Sequence, residues 1–75
     1  MLFKYKVKER SDNHCLIEFE HLFTNGKNIW LEIWIGGMIY SNIEGFCLEY
    51  DLLEGMQKIV KKELFKIKCK LFKRI

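Results

Sequence analysis

The chain contains no proline, and its three cysteines form no closely spaced pair. Without proline, its turns must be built largely from glycine and asparagine. An odd number of scattered cysteines argues against a disulfide scaffold and favours a reducing compartment, so we expect a cytoplasmic protein. Residues 1–8 carry three lysines and no apolar core of a signal peptide, and the longest weakly charged apolar run, residues 33–40, is too short to cross a bilayer. We therefore expect no membrane partner.

The sequence also lacks the motifs of most enzymes. Gly36 and Gly37 stand between apolar strands rather than before a helix, so they do not form a phosphate-binding loop. A Cys-His nucleophile would have to combine Cys47 with His21, and no motif supports that pair. Zinc ligands usually come in pairs at short spacing, which the available side chains do not show: His14, Cys15, His21, Cys47 and Cys69. We expect a protein that is not an enzyme and has neither a metal nor a cofactor.

Apolar material, in contrast, is plentiful. Of the 75 residues 49% are hydrophobic and 15% are aromatic, which predicts one folded domain over residues 1–75 rather than a disordered chain. A chain this short buries only about 60% of its unfolded surface, so its stability is small. The net charge of +3 permits an acidic partner without requiring one.

Alternation of apolar and polar residues predicts three strands, over residues 2–8, 15–23 and 28–35. Asn25 and Gly26 between the second and third strands are a strong hairpin signal, because both residues accept a positive φ. In the third strand the isoleucines and Leu31 share one face, and Trp30 and Trp34 share the other face with Glu32.

One further turn, one or two short strands and a helix are predicted beyond the third strand. Gly36 and Gly37 predict a two-residue hairpin turn into a strand over residues 38–41. Residues 46–50 are either another short strand or a continuation of that one. Asp51 is predicted to begin and cap a helix, with Glu54 completing a capping box. Its apolar stripe consists of Leu52, Leu53, Met56, Ile59 and Val60.

The last segment permits two interpretations. LFKIKCK at residues 64–70 repeats the alternation of LFKYKVK at residues 2–8, which predicts a final strand. That strand would point Phe65, Ile67, Cys69 and Leu71 inward. The alternative is a continued helix with an apolar stripe of Leu64, Ile67, Leu71 and Ile75. With the final strand, the fold class is α+β: an antiparallel meander sheet of four to six strands with one helix packed on one face, in the order β-β-β-β(-β)-α-β.

Two surfaces are candidates for binding. If both lysine-rich segments belong to one sheet, one face presents up to six lysines and suits a polyanion: Lys4, Lys6, Lys8, Lys66, Lys68 and Lys70. The same lysines would also protect sheet edges, or pair with glutamates on the strands between them. The second candidate is the pair Trp30 and Trp34, extended by Tyr40, since exposed aromatic side chains anchor protein interfaces. A helix or lysine stems would instead bury the tryptophans.

Residues 30–61, WLEIWIGGMIYSNIEGFCLEYDLLEGMQKIVK, carry an alternating strand, a glycine-containing bend, a further strand and a short helix. This stretch resembles the WapI-type immunity proteins of bacterial polymorphic-toxin systems. The resemblance implies a small binder that neutralises a toxin, and it assigns no role to individual residues. Phage-encoded inhibitors of bacterial defence, including anti-CRISPR proteins, are similar in size and in their lack of catalytic motifs.

We therefore expect a small non-catalytic protein-binding module, an inhibitor of the immunity or phage anti-defence type, acting by steric occlusion of a target protein. The target would be a toxin or a nucleic-acid enzyme. The alternative is a nucleic-acid-binding protein that uses the lysine-rich sheet face. A homodimer formed through an exposed strand edge is compatible with either function.

Overall fold

The computed structural model describes residues 4–20 and 28–73. Within them the chain forms β1 (Tyr5–Arg10), β2 (His14–Phe19), β3 (Ile29–Trp34), β4 (Ile39–Ser41), a 3₁₀ helix (Glu49–Asp51) and α1 (Glu54–Lys73). The strands pair antiparallel in the order β1-β2-β3-β4. A meander sheet followed by one helix confirms the α+β class. The predicted Asn25-Gly26 turn and the first residues of the predicted first strand lie outside the described residues.

The two central strands bury one face by simple alternation. Their inward side chains have no exposed surface, and they pair across the two strands in register: Cys15 with Ile33, Ile17 with Leu31, and Phe19 with Ile29. The outward residues of both strands are only partly buried. The predicted division of β3 into an isoleucine-leucine face and a tryptophan-glutamate face is confirmed.

A bulge interrupts the alternation of β1. Val7 pairs with Ile17, but the next pair joins Glu9 to Leu16, so that Lys8 is an extra residue on this strand. A bulge of this kind shifts the alternation by one position. Arg10 consequently pairs with Cys15 and lies on the helix side of the sheet rather than with the lysines.

The turn between β3 and β4 has three residues, so the prediction of a two-residue loop was wrong in length. The N–H of Trp34 donates to the carbonyl of Met38 at 3.0 Å, and the N–H of Gly37 donates to the carbonyl of Trp34 at 2.8 Å. Gly37 has a φ of +90°, whereas the φ of Gly36 is not positive. A three-residue loop with one left-handed glycine therefore replaces the turn that needs two.

Asp51 does not begin the long helix, contrary to the prediction. Its carboxylate accepts hydrogen bonds from the N–H groups of Cys47 and Leu48, at 3.1 and 2.8 Å. It thereby caps the N-terminal end of the 3₁₀ helix, and α1 starts three residues after Asp51, at Glu54. Residues 46–48 do not form the predicted strand, although Leu48 makes an isolated antiparallel bridge to Met38.

The predicted final strand was wrong, because α1 continues without interruption to Lys73. Met56, Val60, Leu64 and Ile67 form its buried stripe and pack with the inward side chains of the sheet. Phe65, expected to point inward, is 66% exposed. Glycine and proline are absent from residues 56–73, so nothing in the chain ends the helix before its stripe has covered the sheet. Leu71 and Ile75 of the alternative stripe lie beyond the described side chains.

One carboxylate is buried between the sheet and the helix. Glu63 on α1 is 1% exposed, and its Oε1 accepts a hydrogen bond from Nη2 of Arg10. Its Oε2 accepts from Nζ of Lys66 at 3.2 Å. Two cations thus neutralise a charge that would otherwise be costly to bury.

Nearby, burial raises the pKa of the Cys15 thiol to about 11; the Glu63 carboxylate adds to this rise and Arg10 opposes it.

Candidate functional site: the open face of the sheet

The side of the sheet that faces away from α1 is called the open face. None of its described side chains is buried, in contrast with the inward side chains of β2 and β3. Alternation and register bring together Lys6 and Lys8 of β1, His14, Leu16 and Glu18 of β2, Trp30, Glu32 and Trp34 of β3, and Tyr40 of β4. Helix α1 therefore does not cover the two tryptophans.

One aromatic pair lies across β3 and β4. The rings of Trp30 and Tyr40 have centroids 5.4 Å apart with a tilt of 48°. Tyr40 is 64% exposed, so this pair presents a large apolar surface with a hydroxyl at its rim. Met38, immediately before β4, is 66% exposed and adds a flexible apolar side chain.

The second aromatic pair lies across β2 and β3. His14 is directly opposite Trp34, and their rings stack at 5.5 Å with an angle of 20°. Nε2 of His14 lies 3.6 Å from Oε1 of Glu32, and Nδ1 contacts the hydroxyl of Ser11. These contacts place the imidazole against the indole, so one face of Trp34 is packed and the other remains on the surface.

The row Ser11–His14–Glu32 contains the residue types of a hydrolytic triad, but its geometry serves the turn. The Ser11 oxygen accepts hydrogen bonds from the N–H groups of Asn13 and His14, at 3.3 and 3.2 Å. Its lone pairs therefore hold the β1–β2 connection together, a common use of serine in turns. An attacking hydroxyl would need those lone pairs free.

The lysines of β1 are balanced by acid. Nζ of Lys6 lies 3.7 Å from Oε2 of Glu18, and Nζ of Lys8 lies 4.0 Å from the same oxygen. Together with Leu16, Trp30 and Glu32, Lys8 and Glu18 line a shallow cleft of about 280 Å³. Lys4 is exposed just before the strand. The open face is therefore aromatic with mixed charge, not a continuous basic surface.

The structure does not bring the C-terminal lysines to the sheet. Lys66, Lys68 and Lys70 are exposed side chains of α1. Lys66 bonds to Glu63, and Lys68 is rotated about 200° from Lys66 around the helix axis. The predicted six-lysine face was wrong because it required residues 64–70 to be a strand.

The predicted site residues thus fall into two groups. Trp30, Trp34 and Tyr40 share the open face with Lys6, whereas the helical lysines do not. Sequence reasoning missed the contribution of His14, which had been considered only as a metal ligand. Extending the alternation of β2 backward from Cys15 by one residue would have placed His14 on the tryptophan face.

The cysteines lie in separate environments. Cys15 is buried in β2, Cys47 is exposed before the 3₁₀ helix, and Cys69 is partly buried on α1. Among residues 4–20 and 28–73, no three His, Cys, Asp or Glu side chains cluster in a way that would hold a metal ion. His21 lies outside those residues. The same part of the chain contains no helix with the length and apolar character needed to cross a bilayer.

Comparisons of the chain with known protein families, curated proteins and solved structures find no significant match. The likeness of residues 30–61 to WapI-type immunity proteins stays a prediction from the sequence. The function proposed for this chain therefore rests on the geometry of the open face.

Proposed function

We propose that this chain is a small non-catalytic protein-binding module that inhibits a target protein by steric occlusion, docking through the open face. The observation that carries the proposal is the placement of Trp30, Trp34 and Tyr40 together on the side of the sheet away from α1. Tryptophan and tyrosine are the residues most enriched among interface anchors. Here they are already held by ring contacts, so little side-chain entropy is lost on binding.

The charges of the open face favour a protein partner over a nucleic acid. Lys6 and Lys8 share Glu18, and Glu32 lies between the tryptophans in the strand. Phosphates would meet these carboxylates as well as the amines, whereas a protein surface offers both signs of charge. Aromatic side chains beside charges of both signs are typical of protein interfaces. We do not propose the lysine-rich sheet face as a nucleic-acid site, since its C-terminal half lies on the helix.

Affinity capture from host-cell lysate, with and without nuclease treatment, tests this proposal. We expect the wild-type chain to retain a protein that survives nuclease treatment. Trp34→Ala and Tyr40→Ala should each weaken binding of that purified protein by at least about 30-fold, the effect of a 2 kcal/mol anchor. The activity of the captured protein should fall when the wild-type chain is added. It should stay near its uninhibited value when the Tyr40→Ala chain is added instead.

Tyr50→Ala is the matched control, because Tyr50 is 74% exposed but lies on the 3₁₀ helix. It should bind as the wild-type chain does. Tyr40→Ala guards against a folding artefact, since this side chain is largely exposed and its loss should leave the thermal unfolding midpoint nearly unchanged. Capture that yields no nuclease-resistant partner, or a partner bound equally by all variants, would refute the proposal.

A further inference from the structure

Helix α1 carries a lysine at every fourth position over three turns: Lys58, Lys62, Lys66 and Lys70. Four residues advance an α-helix by about 6 Å and rotate it only about 40° past a full turn. The four residues therefore form one slanted row that rises about 18 Å along the helix and turns about 120° around it, which we call the lysine row. All four side chains are exposed.

Acid neutralises little of this row. Helix α1 contains two acidic residues, Glu54 and Glu63. Glu63 points into the protein, where it is shared between Lys66 and Arg10. Glu54 precedes Lys58 by one turn. Among the described residues, the ion pair that reaches the row joins Glu63 to Lys66.

The stability of the helix does not explain why lysines occupy these four positions. Like charges four residues apart destabilise a helix by about 0.2–0.5 kcal/mol per pair, so the three successive pairs amount to about 0.6–1.5 kcal/mol. Lysines near the C-terminus of a helix interact favourably with its dipole, but that effect is confined to the last turn. It applies to Lys70 and not to Lys58 or Lys62, which lie in the first half of the helix.

We propose that the lysine row binds the sugar-phosphate backbone of duplex DNA. A row of regularly spaced amines matches a linear polyanion: one strand of a duplex carries a phosphate about every 3.4 Å of axis, so a rise of about 18 Å faces about five phosphates. A lipid surface fits less well, because the apolar stripe of α1 packs against the sheet and Phe65 is the one large apolar side chain that the described part of the helix exposes, whereas an interfacial helix presents a whole apolar face. Lysine contacts to phosphate carry no base information, so binding is independent of sequence.

Fluorescence anisotropy with a labelled 20-base-pair DNA duplex tests this inference. With four phosphate contacts, the slope of log K against log salt should be about −3.6, which is roughly a 150-fold loss of affinity between 50 and 200 mM salt. The variant Lys58→Gln/Lys62→Gln/Lys70→Gln keeps the Lys66 contact to Glu63. Its slope should be near −0.9, with at least a tenfold weaker affinity at 50 mM salt.

The variant Lys4→Gln/Lys6→Gln/Lys8→Gln is the matched control, since it removes the same charge from the other side of the protein. It should keep the wild-type slope to within one unit. If the helix variant loses helical circular dichroism, the single change Lys62→Gln replaces it, with an expected slope near −2.7. A wild-type slope shallower than about −2, equal losses in both triple variants, or binding to phosphatidylcholine vesicles with 30% phosphatidylserine but not to the duplex would overturn the inference.

Discussion

Replacing Arg10 by methionine tests the polar contact that joins the sheet to the helix. Methionine keeps the apolar stem of the arginine and removes the guanidinium that donates to Glu63. The carboxylate is 1% exposed and would keep a single cationic partner, Lys66. We therefore expect Arg10→Met to leave a buried charge only partly compensated.

The size of this effect follows from the exposure of the groups involved. Removing one partner of a fully buried ion pair costs about 3–5 kcal/mol. The side chain of Arg10 is 32% exposed and Lys66 remains, so water and the second amine reduce the loss to about 2–3 kcal/mol. A 75-residue chain has a total stability of roughly 4–11 kcal/mol. The midpoint of thermal unfolding should fall by about 8–24 °C.

The control is the partner substitution. Glu63→Met removes the buried charge itself and leaves Arg10 free to reach water, and the double variant Arg10→Met/Glu63→Met replaces the pair by apolar side chains. We expect the double variant to be more stable than Arg10→Met alone, since a buried ion pair and a well-packed apolar pair are often similar in stability. Urea unfolding followed by circular dichroism measures all three variants.

A second control concerns exposed charge. Lys6→Met breaks the contact to Glu18, but the lysine side chain is 59% exposed and should contribute less than about 1 kcal/mol. Two outcomes would refute the assignment of Glu63 as a buried carboxylate that depends on Arg10. One is an Arg10→Met variant that is no less stable than Lys6→Met. The other is a double variant whose loss of stability equals the sum of the losses of Arg10→Met and Glu63→Met.

Two further predictions concern the helix and the core. Leu64→Ala should lower stability by about 2–5 kcal/mol and Phe65→Ala by less than about 0.5 kcal/mol in urea unfolding, because Leu64 is buried and Phe65 is 66% exposed; the reverse order would restore the strand interpretation of this segment. The thiol of Cys15 has a folded-state pKa of about 11 against an ordinary 9.0, so the unfolded chain loses its proton first and folding stability falls as pH rises from 9 to 11. Between pH 8 and 10 the wild-type chain should lose about 1.4 kcal/mol more than Cys15→Ala, and equal losses would contradict the assignment.

The faces of β2 and β3 were predictable because a strand offers only two directions for a side chain. Cys15, Ile17 and Phe19 alternate with Leu16 and Glu18, and the third strand again places every second residue on one face. Placing Trp30 and Trp34 on one face required nothing beyond this period. Whether that face was covered depended on where the helix packs, and alternation within a strand does not contain that information.

The C-terminal segment misled sequence reasoning because LFKIKCK satisfies two periods at once. Phe65 and Ile67 alternate with lysines as in a strand, while Leu64 and Ile67 continue the helical stripe that Met56 and Val60 begin. Tertiary packing decides between the strand and the helix. As a helix, the segment adds Leu64 and Ile67 to the core under β2 and β3, whereas a strand would have needed a sheet edge to pair with.

The bulge in β1 had no local signal either. Continuing the alternation of Tyr5 and Val7 places Arg10 on the same face as the lysines. The structure instead turns Arg10 toward α1, where Glu63 is buried. The two residues are 53 positions apart, so only the assembled fold makes one a partner of the other.

The two proposed surfaces can be separated because the protein has two layers and each surface belongs to a different one. The aromatic side chains lie on the sheet face away from α1, and the lysine row lies on exposed positions of α1 itself. Trp34→Ala should therefore leave the salt dependence of duplex binding unchanged, and the helix triple variant should leave protein capture unchanged apart from a slower association with an acidic target. If each variant abolishes both activities while the fold persists, the two layers contribute to one continuous interface, and a single partner that wraps the sheet and the helix would replace the two separate ones.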